Sequence, residues 1–524
     1  MSASDRHRRT VLPGAWLLAA LLAASPTLAH AQEEAAPPAE GAPAEGTEAT
    51  GSDPAEPTEA SPAEASPEQR TAKAELLLEK ALAATAASRW REAAVWAHEA
   101  WVTYPTSEER REAAELTLAD TLVSLGFTQA AAGHYFDVVE RRSMPQLLPR
   151  ALAGVERLSR RGLVLEEDLL RGVLAEADLA NIPPDLADFL HYQRGIANLR
   201  LGNRRWTGYE FDRIDPDGVY GQKARLAQAV SLVRENQPDA ALEMVDGILA
   251  KEPDPAVEQE ALLLRARLLF EAGRLQEAVE SFRRVDGTRN VPGGEVLLER
   301  AWTHYREGKL HDAMGLVYAL GAPAHADLFL PESYVLRGLI YQRFCHFRAA
   351  RSAAAEFRAR YGEAIARVEA GEEPAEITVV AQATSIVPQV AAVLRVSDAM
   401  REEIRLLSSQ GSWMEEGGLR KHLDNVYGAA GARLERLRRV SVRQGAEEIA
   451  ERLLAAREQA NLLDYEVGVS IHRRVNDAEG KVWRRPEPQV VPRTGDENYY
   501  RFNGEFWTDE LPDMRFLIEN RCVE

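Results

Sequence analysis

From about residue 70 onward, apolar residues recur three and four positions apart, the spacing that lays one stripe along a helix. The same stretch also repeats itself. Arg265-Ala266, Gly273-Arg274-Leu275-Gln276-Glu277-Ala278, Phe282 and Val285 superimpose, at an offset of 35, on Arg300-Ala301, Gly308-Lys309-Leu310-His311-Asp312-Ala313, Val317 and Leu320. A third copy follows at an offset of 37: Arg337-Gly338, Cys345-His346-Phe347-Arg348-Ala349-Ala350, Ala354 and Phe357. A period of this length predicts helix pairs stacked in a row, each burying the face its neighbour leaves exposed.

Seven windows share the pattern, starting at Ala74, Glu112, Asp188, Gln222, Gln259, Gly294 and Pro331. The eighth position of each is small: Ala81, Ala119, Gly195, Ala229, Ala266, Ala301 and Gly338. The fifteenth reads Ser88, Gly126, Gly202, Asn236, Gly273, Gly308 and Cys345, and the twentieth Ala93, Ala131, Thr207, Ala241, Ala278, Ala313 and Ala350. Small residues suit the points where two helices of a unit cross, and Gly or Asn suits a left-handed turn between them. Large residues at the twenty-fourth position, such as Tyr135, Phe211, Val245 and Phe282, project toward the next unit. These residues resemble the tetratricopeptide repeat, a helix–turn–helix unit of about 34 residues. The resemblance covers residues 74–364 and implies an all-α solenoid over 70–364. The segment 146–187 matches poorly and is read as a degenerate unit, with Gly162 as its turn and Pro183-Pro184 as a break.

In that family the first helices of successive units line a concave groove. The resemblance places Tyr192, Ile196 and Leu199, then Leu226, Val230 and Arg234, then Leu263, Arg267 and Phe270 along it. Leu298, Trp302, Tyr305 and Arg306 follow, then Val335, Leu339 and Arg343. The set is apolar with arginines at one edge. It differs from the Lys/Asn clamp that the family uses for a terminal carboxylate. It suits an amphipathic helix or an extended peptide with aromatic anchors and acidic neighbours. The alternative is that tight packing of the array buries part of this stripe.

Past residue 364 the period changes to heptads. Ile386, Val390, Val393, Ser397, Met400, Ile404 and Leu407 form one seam. Ile449, Leu453, Ala456, Ala460, Leu463 and Val467 form a second, with Leu434 and Leu437 upstream and Ser441 and Gln444 interrupting. Gly411 and Gly417-Gly418 lie between the seams, so residues 365–470 read as a helical hairpin that caps the solenoid or mediates self-association. Residues 471–524 are an extended aromatic segment, with Pro486, Pro488 and Pro492 ahead of Tyr499-Tyr500-Arg501-Phe502-Asn503-Gly504-Glu505-Phe506-Trp507. It resembles the end segment of exported repeat proteins from gliding bacteria with large envelope assemblies. So many aromatics call for cover, and the segment is expected to dock on the array of its own chain or a neighbour's.

Charge divides the chain further. The net value of −19 over 524 residues includes −10 from residues 32–68, which hold no Lys or Arg, seven prolines and no large apolar residue. That composition cannot offset the entropy of ordering, so 32–69 is read as a disordered, extended linker. Residues 1–31 carry a basic start (Arg6, Arg8, Arg9), the apolar run Ala15–Ala24 and the small-x-small site Ala29-His30-Ala31. This is a secretory signal peptide cleaved after Ala31, and its run is too short for a stable membrane span. Arg8-Arg9 also resembles a twin-arginine signal. The remaining 456 residues carry −11, an ordinary value, and the acidic balance argues against a nucleic-acid partner.

No phosphate loop, His-Glu-x-x-His or Gly-x-Ser-x-Gly motif is present. His304 and His311 straddle a turn, and Glu166-Glu167-Asp168 and Glu415-Glu416 read as solvated helix ends. No catalytic residue, cofactor or metal site is expected, and the chain is not expected to be an enzyme. Cys345 and Cys522 either pair in an oxidising exported compartment or stay as free buried thiols, the favoured alternative. The expectation is a periplasmic scaffold or adaptor that binds proteins or peptides in a bacterial envelope complex. A structural self-assembling module, its groove filled by its own C-terminal segment, is the alternative.

Overall fold

The computed structural model describes residues 66–106, 109–142, 144–170, 182–287, 291, 293–477, 504–506 and 511–522. Residues 1–31, read above as a signal peptide, most of the expected linker and the aromatic residues Tyr499, Tyr500, Phe502 and Trp507 lie outside them. The described residues form an all-α solenoid with no strand. Its hairpins are α1 (Pro67–Ala86) with α2 (Trp90–Thr103), α3 (Arg111–Leu125) with α4 (Thr128–Arg141), and α5 (Leu148–Arg160) with α6 (Glu166–Leu170). Next come α7 (Pro184–Arg200) with α8 (Arg204–Phe211), and α9 (Val219–Arg234) with α10 (Pro238–Leu249). The last are α11 (Pro255–Glu271) with α12 (Leu275–Arg283), α13 (Gly293–Glu307) with α14 (Leu310–Ala319), and α15 (Glu332–Arg343) with α16 (Phe347–Glu369).

One backbone device closes every hairpin. Ser88, Gly126, Gly162, Gly202, Asn236, Gly273, Gly308 and Cys345 all have φ between 56° and 91°. The amide after each donates to the carbonyl five residues back, as in Arg89 to Ala84 (2.9 Å), Phe127 to Leu122 (2.8 Å) and Leu163 to Leu158 (3.0 Å). This is the Schellman arrangement, which satisfies helix-end carbonyls that would otherwise be orphaned. Gly162 takes the same turn, so the poorly matching segment still carries a regular hairpin turn. The array's entry is capped as well. Ser66 and Gln69 form a reciprocal capping box with Pro67 at the first helical position.

The small residues at the crossing points are buried in all seven windows. At Gly195 a Cβ would overlap the Phe211 ring, and at Gly338 it would overlap Leu463. Tyr135, Phe211, Val245 and Phe282 are buried between units.

After α16 the chain makes α17 (Thr378–Ala383), α18 (Pro388–Ser409) and α19 (Leu419–Asp477). α19 is 59 residues long and continuous through Ser441 and Gln444, roughly 90 Å at the usual helical rise. It begins against α2 and α4, where Leu419, Leu423 and Tyr427 join the core of the first units. It ends against α15 and α16, where Leu463 and Val467 meet Ala350 and Leu339. The second heptad seam is therefore buried mainly by the last unit and α17, with Ala446, Ile449 and Leu453 packed among Phe357, Tyr361 and Val380. No single helix among the described residues is long and apolar enough to cross a membrane.

The first seam departs from the sequence reading at Ile386, which lies in a 3-10 turn ahead of α18, and at one position within α18. Ile404 is exposed, and Glu403 is buried in its place. Its carboxylate accepts from the Thr128 hydroxyl, the Gln129 amide (2.9 Å) and the Tyr427 hydroxyl (2.7 Å). The start of α4 thus supplies amide donors to an anion, a favourable place for a carboxylate. That polar satisfaction outweighs the apolar register.

Candidate functional site

The array's first helices carry the positions expected to line a groove, and burial divides them into three groups. Leu226, Leu263, Arg267, Phe270, Leu298, Trp302 and Val335 are buried. Tyr192, Tyr305 and Arg306 are half-buried, and Arg234 and Arg343 are exposed. Arg267 makes a bidentate pair with Glu299, at 2.9 and 2.6 Å. Arg306 donates to the Phe270 carbonyl (3.0 Å) and lies 4.2 Å from the Phe270 ring centre. Tyr192 packs between Tyr220 and Phe211. Trp302 sits edge-on to Tyr305 in a core shared with Leu298, Leu336 and Ile340. The arginines at the groove edge are thus partly spent on holding neighbouring units together.

The C-terminal end of the groove is covered from within the chain. Val335 and Leu339 pack against Ala446, Ile449 and Leu453 of α19. Arg452 of α19 reaches Glu332 (3.5 Å) and Glu295 (3.9 Å), with its guanidinium 5.8 Å from the Phe329 ring centre. Arg358 on α16 binds Asp464 (2.6 Å). Arg433 pairs with Asp168, so that acidic helix start is an anchor for α19 as well as a solvated end.

Burial pushes the Glu295 carboxyl up to about 7, with Arg452 opposing and Glu299 and Glu332 adding to the rise. The unfolded chain gives up this proton near the ordinary glutamate value, so the folded state holds more protons from there up to about 7. Stability from this group therefore falls as pH rises through that window. Glu295→Gln should flatten the dependence, removing on the order of 2 kcal/mol of difference between pH 5 and pH 8. Chemical denaturation of both proteins at the two pH values checks this.

The described part of the tail lies elsewhere. Residues 511–522 run over α14 and the end of α15, against the second helix of a unit and outside the groove. The Phe516 amide donates to the His311 carbonyl (3.0 Å), the Ile518 amide to His311 Nδ1 (3.2 Å) and the Arg521 amide to the Phe344 carbonyl (3.1 Å). Phe516 stacks on Tyr318 at 4.1 Å, and Asp513 binds Arg300 (3.1 Å). Cys522 is joined to Cys345 by a disulfide, where the sequence favoured free thiols. The reading of a groove filled by this segment is corrected for these residues. α19 already covers the adjoining groove, and α14 offers the close approach that an extended backbone needs. Gly315 has the Met514 carbonyl where a Cβ would stand, and Ala319 and Ala322 meet Leu511, Phe506 and Met514. Gly315→Val should lift the strap while leaving helix content unchanged. Faster hydrogen exchange at residues 511–522, with an unaltered far-ultraviolet spectrum, is the expected reading.

Three histidines meet where α19 begins. His98 on α2, His134 on α4 and His422 on α19 surround the Trp101 edge. Burial holds His98 below the ordinary histidine value and, with His134 and His98 nearby, holds His422 at about 3. Sequence reasoning did not find this cluster or Arg452, because the contacts join helices far apart in the chain, 288 residues for His134 with His422 and 120 for Arg452 with Glu332. The sequence placed His311 only beside a turn, and the structure gives it the tail.

Residues 226–295 match the tetratricopeptide repeat family. That stretch spans α10 to α12 with parts of the flanking helices. None of the curated proteins compared matches the chain.

Proposed function

We propose that this chain, a tetratricopeptide repeat protein, is an exported adaptor that holds other proteins in a bacterial envelope complex. The repeats supply the coarse part of that reading: they make a protein-interaction scaffold. The exported, periplasmic setting is supported by the basic, apolar, small-x-small order of residues 1–31 and by the disulfide between Cys345 and Cys522.

The observation that carries the binding reading is the uneven cover of the groove. α19 closes it at Val335 and Leu339, while Arg234 is exposed and Tyr192, Tyr305 and Arg306 are half-buried. Aromatic surface beside arginine selects a peptide with apolar anchors and acidic flanks. Cross-linking capture from native envelopes tests this, comparing the intact protein with Arg234→Glu/Tyr305→Ala. Loss of captured proteins supports the groove. The same proteins captured with both would remove it. The self-assembling reading predicts a defined oligomer in light scattering, whereas a strap docked on its own chain predicts a monomer.

A further inference from the structure

We propose that the outward stripe of α19 around Arg436, Arg439 and Arg443 is the docking site for the chain's own acidic leader, residues 32–65.

The stripe stands out in charge. Residues 433–443 hold five arginines against one acidic residue, Glu435, although the chain from residue 69 onward carries −11. By the helical period, Ala429, Ala432, Arg436, Arg439, Val440 and Arg443 fall on one face, and all six are exposed. The opposite face, through Leu434, Ala446 and Ile449, is buried.

Neighbouring acids answer only some of these charges. Arg433 pairs with Asp168, Arg438 with Glu435 (2.8 Å) and Arg443 with Glu373 (3.0 Å). Arg436 and Arg439 make no ion pair among the described residues. Arg401 and Arg405 of α18 are spent on acids of their own helix, Asp398 and Glu402. A cleft of about 790 Å³ opens beside the stripe, lined by Ala381, Leu394 and Val442 together with Arg438, Arg439 and Arg443. Its acids are Glu373 and Glu376.

The leader carries the complementary charge. Residues 32–65 hold nine Asp/Glu, six prolines and no Lys or Arg. Guanidinium and carboxylate groups form charge-assisted, often bidentate hydrogen bonds. In the polyproline II conformation that Pro54 and Pro57 favour, one turn is three residues and roughly 9 Å, so Asp53, Glu56 and Glu59 share an edge. Arg436 and Arg443 stand roughly 10 Å apart along α19, a matching interval.

The leader also reaches. It joins α1 at Ser66, in the first unit. α19 starts against that unit's α2, with Leu419 in the shared core. Arg436 lies 17 residues beyond Leu419, roughly 25 Å along the helix. Thirty-four residues of leader span roughly 100 Å when extended. Docked there, the leader keeps the arginine face from other polyanions.

The test uses the full chain carrying Thr50→Cys and Gln444→Cys, labelled with a fluorescent donor and acceptor. The native cysteines stay paired and do not take the label. The expected result is strong energy transfer at about 20 mM salt that is lost at about 500 mM, where screening shortens the reach of charge. Arg436→Glu/Arg439→Glu/Arg443→Glu should lose the transfer at both salt concentrations and keep the far-ultraviolet spectrum, since these side chains are exposed. Equal transfer with and without that triple substitution overturns the proposal, because the approach would then owe nothing to the arginines. So does weak, salt-insensitive transfer in the chain with its arginines intact. Transfer seen only on mixing donor-labelled with acceptor-labelled chains would place the leader on a second copy, and overturns it as well.

Discussion

Leu453→Asp should separate the second half of α19 from the array, with a loss on the order of 5 kcal/mol. Leu453 is completely buried among Phe357, Tyr361, Val380 and Ile449. The substitution removes that packing and places a carboxylate where the apolar neighbours offer it no partner. α19 is held separately at its start by Leu423, Tyr427 and the Glu403 network. The expected outcome is therefore regional. Hydrogen exchange should rise across residues 442–477 and over Val335 and Leu339, while α1 to α4 keep their protection. A lowered unfolding temperature should accompany it. Equal loss of protection throughout the chain would mean that the array has no stability apart from α19.

Cys345→Ser should release the strap. The disulfide links residues 177 apart in sequence, and closing so long a loop is worth about 5 kcal/mol in the chain-entropy account. Less than that should appear in global unfolding, because detaching residues 511–522 is the cheaper event. The measurable signs are faster exchange in that segment, loss of protection at Tyr318 and Phe344, and accessible surface on α14. The intact protein, denatured without reductant, should show no titratable thiol. Two thiols per chain would contradict the pairing.

The repeats were legible because local chemistry dictates them. Every hairpin needs one residue that tolerates positive φ and two that are small, and those requirements recur at a fixed spacing. Ser88 and Cys345 show the limit of that rule. Both take the left-handed turn without being Gly or Asn, and the helices they join supply the stability that offsets the strain. The heptad seams were legible as apolar stripes, but a stripe does not name what covers it. Ile449, Leu453 and Leu463 pack mainly on the last unit, and the same contact covers Val335 in the groove. Long-range pairs such as Arg452 with Glu332, or Glu403 with Thr128, leave no periodic trace. Neither does the choice between paired and free thiols, which depends on where the tail lies.

The central claim is that α19 spans the array within one chain, joining its first units to its last. Two cysteine pairs test it most directly, Asp168→Cys/Arg433→Cys near the first units and Arg358→Cys/Asp464→Cys at the last, each treated with a short bifunctional thiol reagent at high dilution. The native residues at both positions are ion-paired across the contact. Mass spectrometry should find both cross-links within single chains. Failure of either pair to react, or cross-links only between chains, would contradict the account.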